Sequence, residues 1–115
     1  MNIVRNERNR YILFKIINEG FISIEHSDIL KSIWKSIWRF FGMKEANKIG
    51  LWVIEIDLEN EFGIIRCAHQ TKEIIITALS FITEINGNKI ILSPVKTSGT
   101  IKTIKNYMIS KKNLN

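Results

Sequence analysis

The chain has 115 residues, 45% of them hydrophobic, enough for one globular unit spanning residues 1–115 to bury a core without disulfide staples. Seventeen Lys and Arg against eleven Asp and Glu leave a net charge of +6, the balance of a protein that meets polyanions or anionic membranes. The single Cys67 excludes an intramolecular disulfide framework and a cysteine-rich zinc site, and points to a reducing, cytoplasmic setting.

Met1 to Arg10 carries Arg5, Arg8 and Arg10 and no apolar segment of the signal-peptide kind. No run in the chain approaches the roughly 18 uninterrupted apolar residues of a membrane span, so neither export nor a membrane partner is expected. Arg10 to Ile17 is rich in aromatic and branched residues, with Lys15 in alternation with Tyr11 and Leu13, which predicts a strand ended by Asn18-Glu19-Gly20. From Ile29 to Phe41 the apolar positions Leu30, Ile33, Trp34, Ile37, Trp38 and Phe41 recur at helical spacing. Ser27 or Asp28 is the candidate cap at its start and Gly42 the stop.

Leu51–Leu58 and Phe62–Ala68 read as two strands joined by a polar turn around Glu59, Asn60 and Glu61. A second helix follows, with Thr71 as its cap, Ile75, Ala78, Leu79, Ile82 and Ile85 on its apolar face, and Asn86-Gly87-Asn88 as its stop. Lys89–Val95 forms a short fourth strand, and Pro94 puts it at an edge or ends it, because proline has no N–H for a ladder. Beyond Ser98-Gly99-Thr100, a last amphipathic helix has Ile101, Ile104 and Met108 on one side and Lys102, Lys105 and Lys112 on the other. The order βαββαβ plus a C-terminal helix predicts an α+β fold: a ferredoxin-like or RNA-recognition-like sandwich with two helices on one face of a four-stranded antiparallel sheet. RNA-binding modules and metabolite-binding domains share that plan, so function has to be read from its residues.

After Glu84 the chain has no further Asp or Glu, whereas Lys89, Lys96, Lys102, Lys105, Lys111 and Lys112 all lie beyond it. Within this basic end, Lys96-Thr97-Ser98-Gly99-Thr100 precedes a helix N-terminus, where open N–H groups and the dipole favour a phosphate, although segments of this kind more often simply cap a helix. Lys31, Lys35 and Arg39 form a second stripe, read as a solvated helix face. Three tryptophans with Phe40 and Phe41 are more aromatic surface than one helix needs for its own core, and Trp34, Trp38 and Phe41 are the candidates for a protein interface.

If Lys15 and Arg66 point outward, Tyr11, Leu13, Phe62 and Ile64 share the free sheet face, and its branched aliphatics suit packing better than base stacking. The C-terminal helix or another protein would cover it, leaving RNA to be held through phosphates. Glu55, Asp57, Glu59 and Glu61 alternate through the hairpin; they read as charges that discourage edge pairing or meet a basic partner, rather than as a cation site. His26 and His69 have no nucleophile or carboxylate at useful spacing, so no catalytic residue and no metal ligand is assigned.

Six short pieces in order carry a family resemblance: Arg10-Tyr11-Ile12-Leu13-Phe14, Phe40-Phe41-Gly42, Gly50-Leu51-Trp52-Val53-Ile54, Gly63-Ile64-Ile65-Arg66-Cys67, Ala78-Leu79 and Ser98-Gly99-Thr100-Ile101-Lys102. Together they span most of the chain, which resembles the ribonuclease P protein component 2 family, in its compact archaeal form. The resemblance implies a non-catalytic subunit that binds and stabilises a catalytic RNA, the element that removes the 5′ leader of precursor tRNA. The implied partners are ribonuclease P RNA and protein component 3, in a heterodimer or heterotetramer, with precursor tRNA met indirectly. No cofactor is expected on the protein itself, Mg2+ being expected for the RNA. Arg10, Lys15, Arg66, Lys96, Thr97, Ser98, Gly99, Thr100, Lys102 and Lys105 are the expected RNA-facing positions. A ferredoxin-like small-ligand or regulatory domain, and a module binding single-stranded RNA on its sheet through Tyr11 and Phe62, are the alternatives.

Overall fold

A computed structural model describes residues 8–20 and 23–113, with the backbone alone for 43–48 and 112–113. Arg5 and the side chain of Lys112 lie outside the described residues. The elements run β1 (Asn9–Asn18), α1 (His26–Lys48), β2 (Trp52–Asp57), β3 (Phe62–Ala68), α2 (Lys72–Ser80), β4 (Glu84–Ile85), β5 (Asn88–Ser98) and α3 (Ile101–Asn113). The strands form one antiparallel sheet in the order β2-β3-β1-β5-β4.

Strand alternation divides the core in two. Ile12, Phe14 and Ile16 of β1 and Ile65 and Cys67 of β3 face α1 and α2, where they meet Ile29, Ile33, Ile37, Ile75, Ala78 and Leu79. Leu13 and Ile64 face the other way and are covered by Ile104 of α3, with Tyr11, Phe62, Ile101, Tyr107 and Met108 around them. Helices thus lie on both faces of the sheet. The residue types expected to pack the second face do so, and α3 is what covers them.

Helix α1 begins one turn earlier than its apolar period suggests. Asp28, not Ser27, secures the start: its carboxylate accepts the Glu25 N–H at 2.9 Å, and the Asp28 N–H returns to the Glu25 carbonyl at 3.0 Å. Gly42 breaks the helix without ending it; at φ 82° and ψ 157° it kinks the backbone, and helical turns resume to Lys48. Thr71 precedes α2 but does not cap it. Its hydroxyl lies 3.1 Å from the Ala68 carbonyl and 3.2 Å from that of Ile49, tying the strand end to the α1–β2 link.

The sheet has five strands, one more than the pattern predicts. Helix α2 stops at Ser80, so Ile82 and Ile85 leave its apolar face, although both remain buried. Asn86 and Gly87, at φ 54° and 85°, form a two-residue turn between β4 and β5. Both central residues in the left-handed region make the primed hairpin turn that Asn-Gly favours, so this dipeptide starts a hairpin instead of stopping a helix.

Strand β5 extends to Ser98, and Pro94 sits inside it opposite Phe14. The register slips there, from Leu13 opposite Lys96 to Phe14 opposite Pro94, which leaves Val95 as a bulge. On its outer side β5 is paired only at Asn88 and Lys89 among the described residues. Pro94 therefore occupies an edge, as its missing N–H requires, and not a terminus.

Two outcomes follow from this packing. A Cβ on Gly63 would run into the Phe14 ring inside the main core. Gly63→Ala should lower unfolding free energy by about 1–3 kcal/mol in urea titrations, with part of the loss recovered by adding Phe14→Leu. In the β2–β3 turn, Asp57 accepts the Asn60 side-chain amide and the Asn60 N–H, each at 2.9 Å; the side-chain bond first, then the backbone bond, hold its carboxyl below the usual range. The Glu25 N–H does the same for Asp28. A carboxyl lowered in the folded state supports stability above its unfolded value near pH 3.9, and that support fades as pH falls through the folded value. Denaturant midpoints should therefore drop as pH is lowered from about 5 to below 4, and Asp57→Asn should flatten the profile.

A candidate nucleic-acid interface

The face of the sheet that carries α3 also carries most of the predicted RNA-facing residues. Pairing registers align Trp52, Arg66, Tyr11 and Ser98 in one row across β2, β3, β1 and β5. The Arg66 guanidinium carbon stands 5.7 Å from the Trp52 ring centroid, and the indole is 61% exposed, so the pair presents a flat, cationic platform to solvent. Trp52 was missed as a site residue. The alternation of Trp52 with Val53 on an edge strand was the signal that could have found it.

At the Ser98 end of the row the chain turns into α3. Thr100 caps that helix: its hydroxyl accepts the Thr103 N–H at 3.2 Å, and the Thr100 N–H donates to Ser98 Oγ at 3.3 Å. The cap geometry thus holds, and the N-terminus of α3 faces outward beside exposed Gly99, Thr100 and Lys102. A Cβ on Gly99 would stand 3.1 Å from Arg10 Nη1, so glycine leaves room for the guanidinium to lie against the turn. Thr97, opposite Ile12, belongs to the other face of β5.

The same end of the sheet concentrates positive charge. His69 follows β3, and its imidazole is held below the usual histidine range, first by the charge of Arg10, then by partial desolvation, and further by Lys72 and Arg8. Sequence reading placed only Arg10 of these three cations in the site. Arg8 is Arg10's near neighbour in the chain, but what joins both to Lys72 is the end of β3, where the His69 N–H donates to the Arg8 carbonyl at 2.8 Å and Lys72 follows the His69–Thr71 turn.

Other predicted positions separate. Lys15 is exposed at the far end of β1. Lys96 reaches over α3, its ammonium 5.6 Å from the Tyr107 ring. Lys105 is engaged within the protein: Nζ lies 3.0 Å from Glu55 Oε1, an ion pair that ties α3 to β2. That bond and the Asp57–Asn60 bonds disperse the acidic hairpin, and the described residues hold no cluster of three or more His, Cys, Asp or Glu side chains suited to a metal. Cys67 is buried, and burial pushes its thiol up to about 11, so it carries no thiolate at neutral pH.

The aromatic residues of α1 divide as well. Trp34 and Phe41 pack against the main core, while Trp38 is 48% exposed, with its ring 6.2 Å from that of Trp34. Phe40, part of the aromatic surplus legible in the sequence, forms a second exposed pair with Phe81, 4.3 Å apart, and Phe81 is the member that sequence reasoning missed. Among the described residues, no helix is long and apolar enough to cross a membrane.

Known proteins share both the sequence pattern and this architecture. The Rpp14/Pop5 family model matches residues 10–109. Ribonuclease P protein component 2 of Pyrococcus furiosus is 35% identical over 90% of this chain and 85% of that protein. Its counterpart in Pyrococcus horikoshii is 32% identical over 91% and 86%, and one from Saccharolobus islandicus 29% identical over 91% and 75%. A chain in the cryo-EM structure of yeast ribonuclease MRP has the same fold, with a TM-score of 0.67 over 96% of both chains at 13% identity. The chain belongs to the Rpp14/Pop5 family.

Proposed function

We propose that this chain is a non-catalytic protein subunit of ribonuclease P, binding and stabilising the catalytic RNA that removes the 5′ leader of precursor tRNA. The observation that carries this reading is the match, along most of both chains, to proteins named ribonuclease P protein component 2. The strand order and pairing support the ferredoxin-like plan, with β4 as an added hairpin strand.

RNA is held on the α3 side. Arg66, Lys96 and Lys102 supply cations there, Arg10 joins them at the Gly99 turn, and Ser98, Gly99 and Thr100 shape that turn, with Thr97 contributing from the opposite face of β5. Lys15 and Lys105 extend the surface toward the other end of α3, Lys105 after exchanging its bond with Glu55 for a phosphate. Charge-assisted contacts of this kind position an RNA without reading its sequence. With α3 lying over Tyr11 and Phe62, the sheet centre is closed to the stacking that a single-strand module would need. Protein component 3 is the expected partner, in a heterodimer or heterotetramer, and the exposed Trp38 flank of α1 with Trp34 and Phe41 behind it is the surface offered to it. Mg2+ is required by the RNA, and the assembly works in the cytoplasm.

Cleavage of a precursor tRNA by the cognate catalytic RNA at modest magnesium, with component 3 present, should depend strongly on adding this chain; equal cleavage without it would reject the assignment. In RNA-binding titrations, replacing Arg66, Lys96 and Lys102 together by alanine should reduce the slope of log K against log salt by roughly 2, at about 0.7 for each phosphate left without its cation. Thermal stability should stay nearly unchanged, and an unaltered slope would remove these residues from the interface.

A further inference from the structure

A cleft of about 600 Å3 opens beside α3, between that helix, β1 and the β2–β3 turn. Phe62 and Tyr107 supply its aromatic surface, Leu13 and Met108 add apolar wall, and Lys15 and Lys111 stand at its edge. The Tyr107 ring has two ammonium neighbours, Lys96 and Lys111, each with Nζ 5.6 Å from the centroid. None of Lys15, Lys96 and Lys111 has an ion-pair partner among the described residues, and the one carboxylate lining the cleft is that of Glu61.

Apolar surface bordered by lysines that have no carboxylate partner matches a ligand with a planar ring and a phosphate on either side of it, the ring taking the place over Tyr107 that the Lys111 ammonium gives up as it moves to a phosphate. A cleft of this volume is in the range that small planar ligands fill. We infer that the cleft takes one unstacked nucleotide of a single-stranded RNA segment, its base against Tyr107 and its flanking phosphates on Lys15 and Lys111. The inference rests on the RNA-subunit reading and sharpens it: beyond phosphate contacts, the protein captures a base that is not paired in a helix. Stacking on an aromatic ring is sequence-tolerant, since every base has a π-face, so the slot selects for an unpaired nucleotide and not for a particular letter. The cations around Tyr107 and the ring itself act on different parts of the same nucleotide, which makes their contributions separable.

Fluorescence anisotropy with the full chain would compare a short oligouridylate with an abasic oligonucleotide of equal length. The wild type should bind the base-containing probe roughly tenfold tighter or more. Tyr107→Leu should erase that preference while keeping the salt slope, Tyr107→Phe should retain it, and Lys15→Ala with Lys111→Ala should lower the slope by about 1.4. Equal binding of the two probes by the wild type overturns the inference, as does a Tyr107→Leu variant that keeps the preference. Photo-crosslinking of a 5-iodouridine oligonucleotide to the unmodified protein needs no variant to fold; adducts should map to Tyr107 or Phe62, and adducts confined elsewhere overturn the slot. Precursor-tRNA cleavage separates the two readings. A chain that stimulates cleavage without a base preference loses the slot alone, and one that shows the preference without stimulating cleavage loses the subunit assignment alone.

Discussion

Strand β1 is buried on both faces, and the rest of the fold is arranged around that constraint. Ile12, Phe14 and Ile16 are almost fully enclosed by the helical layer, while Leu13, on the opposite face, is 4% exposed beneath α3. A strand with two buried faces needs cover on each, and α1 with α2 can supply only one. Removing a side chain of this size from water contributes roughly 1.5–3 kcal/mol, so the apolar residues on the second face are a strong reason for α3 to fold back over the sheet. The close approach of Phe14 to Gly63 belongs to the same constraint: the ring occupies the space where a neighbouring strand would ordinarily carry a side chain.

Docking α3 on the sheet decides what kind of interface that side can make. The centre of the face, where an RNA-recognition module exposes its stacking rings, is filled with Leu13, Ile64 and Ile104. What remains accessible is the margin: the Trp52–Arg66 pair at the β2 edge, the Gly99 turn with Arg10 beside it, and the lysines along α3. A margin of cations around an apolar centre is suited to following a phosphate backbone, with only isolated rings left for bases. The Lys105–Glu55 ion pair, exposed at both ends, adds little to stability once solvent screening is counted, and its place is better understood as orienting α3 over β2.

The opposite layer carries a different chemistry. Helix α1 buries Ile29, Ile33 and Ile37 completely, and its Ser36 hydroxyl donates to the Ala78 carbonyl at 2.9 Å, locking the two helices together. Large aromatic surface is then left over at Trp38, Phe40 and Phe81, beyond the reach of that core. Apolar rings left exposed next to a rigid helix pair are the usual material of a protein contact, in contrast to the cation-rich margin on the α3 side. The two sides of the sheet therefore differ in the aromatic surface they leave exposed, although α1 also carries cations, with the Arg39 guanidinium carbon 5.5 Å from the Phe40 ring.

Local patterns alone determined much of this protein. Alternation placed β1, β2 and β3, the three-and-four spacing placed α1 and α3, and the run of lysines beyond Glu84 marked the basic end, because periodicity and charge are properties of neighbours in the chain. The fifth strand was misread for an equally local reason: Ile82 and Ile85 continue a helical spacing by chance, and only the pairing of β4 with β5 lets Asn86-Gly87 act as a hairpin turn. Lys105 read as a free cation until Glu55, fifty positions away, came within 3.0 Å. The Trp52–Arg66–Tyr11–Ser98 row likewise gathers four strands that no sequence window spans. What a residue can do locally is set by its own chemistry and near neighbours; which distant group it meets is decided by strand register and helix docking, and those exist only in the folded chain.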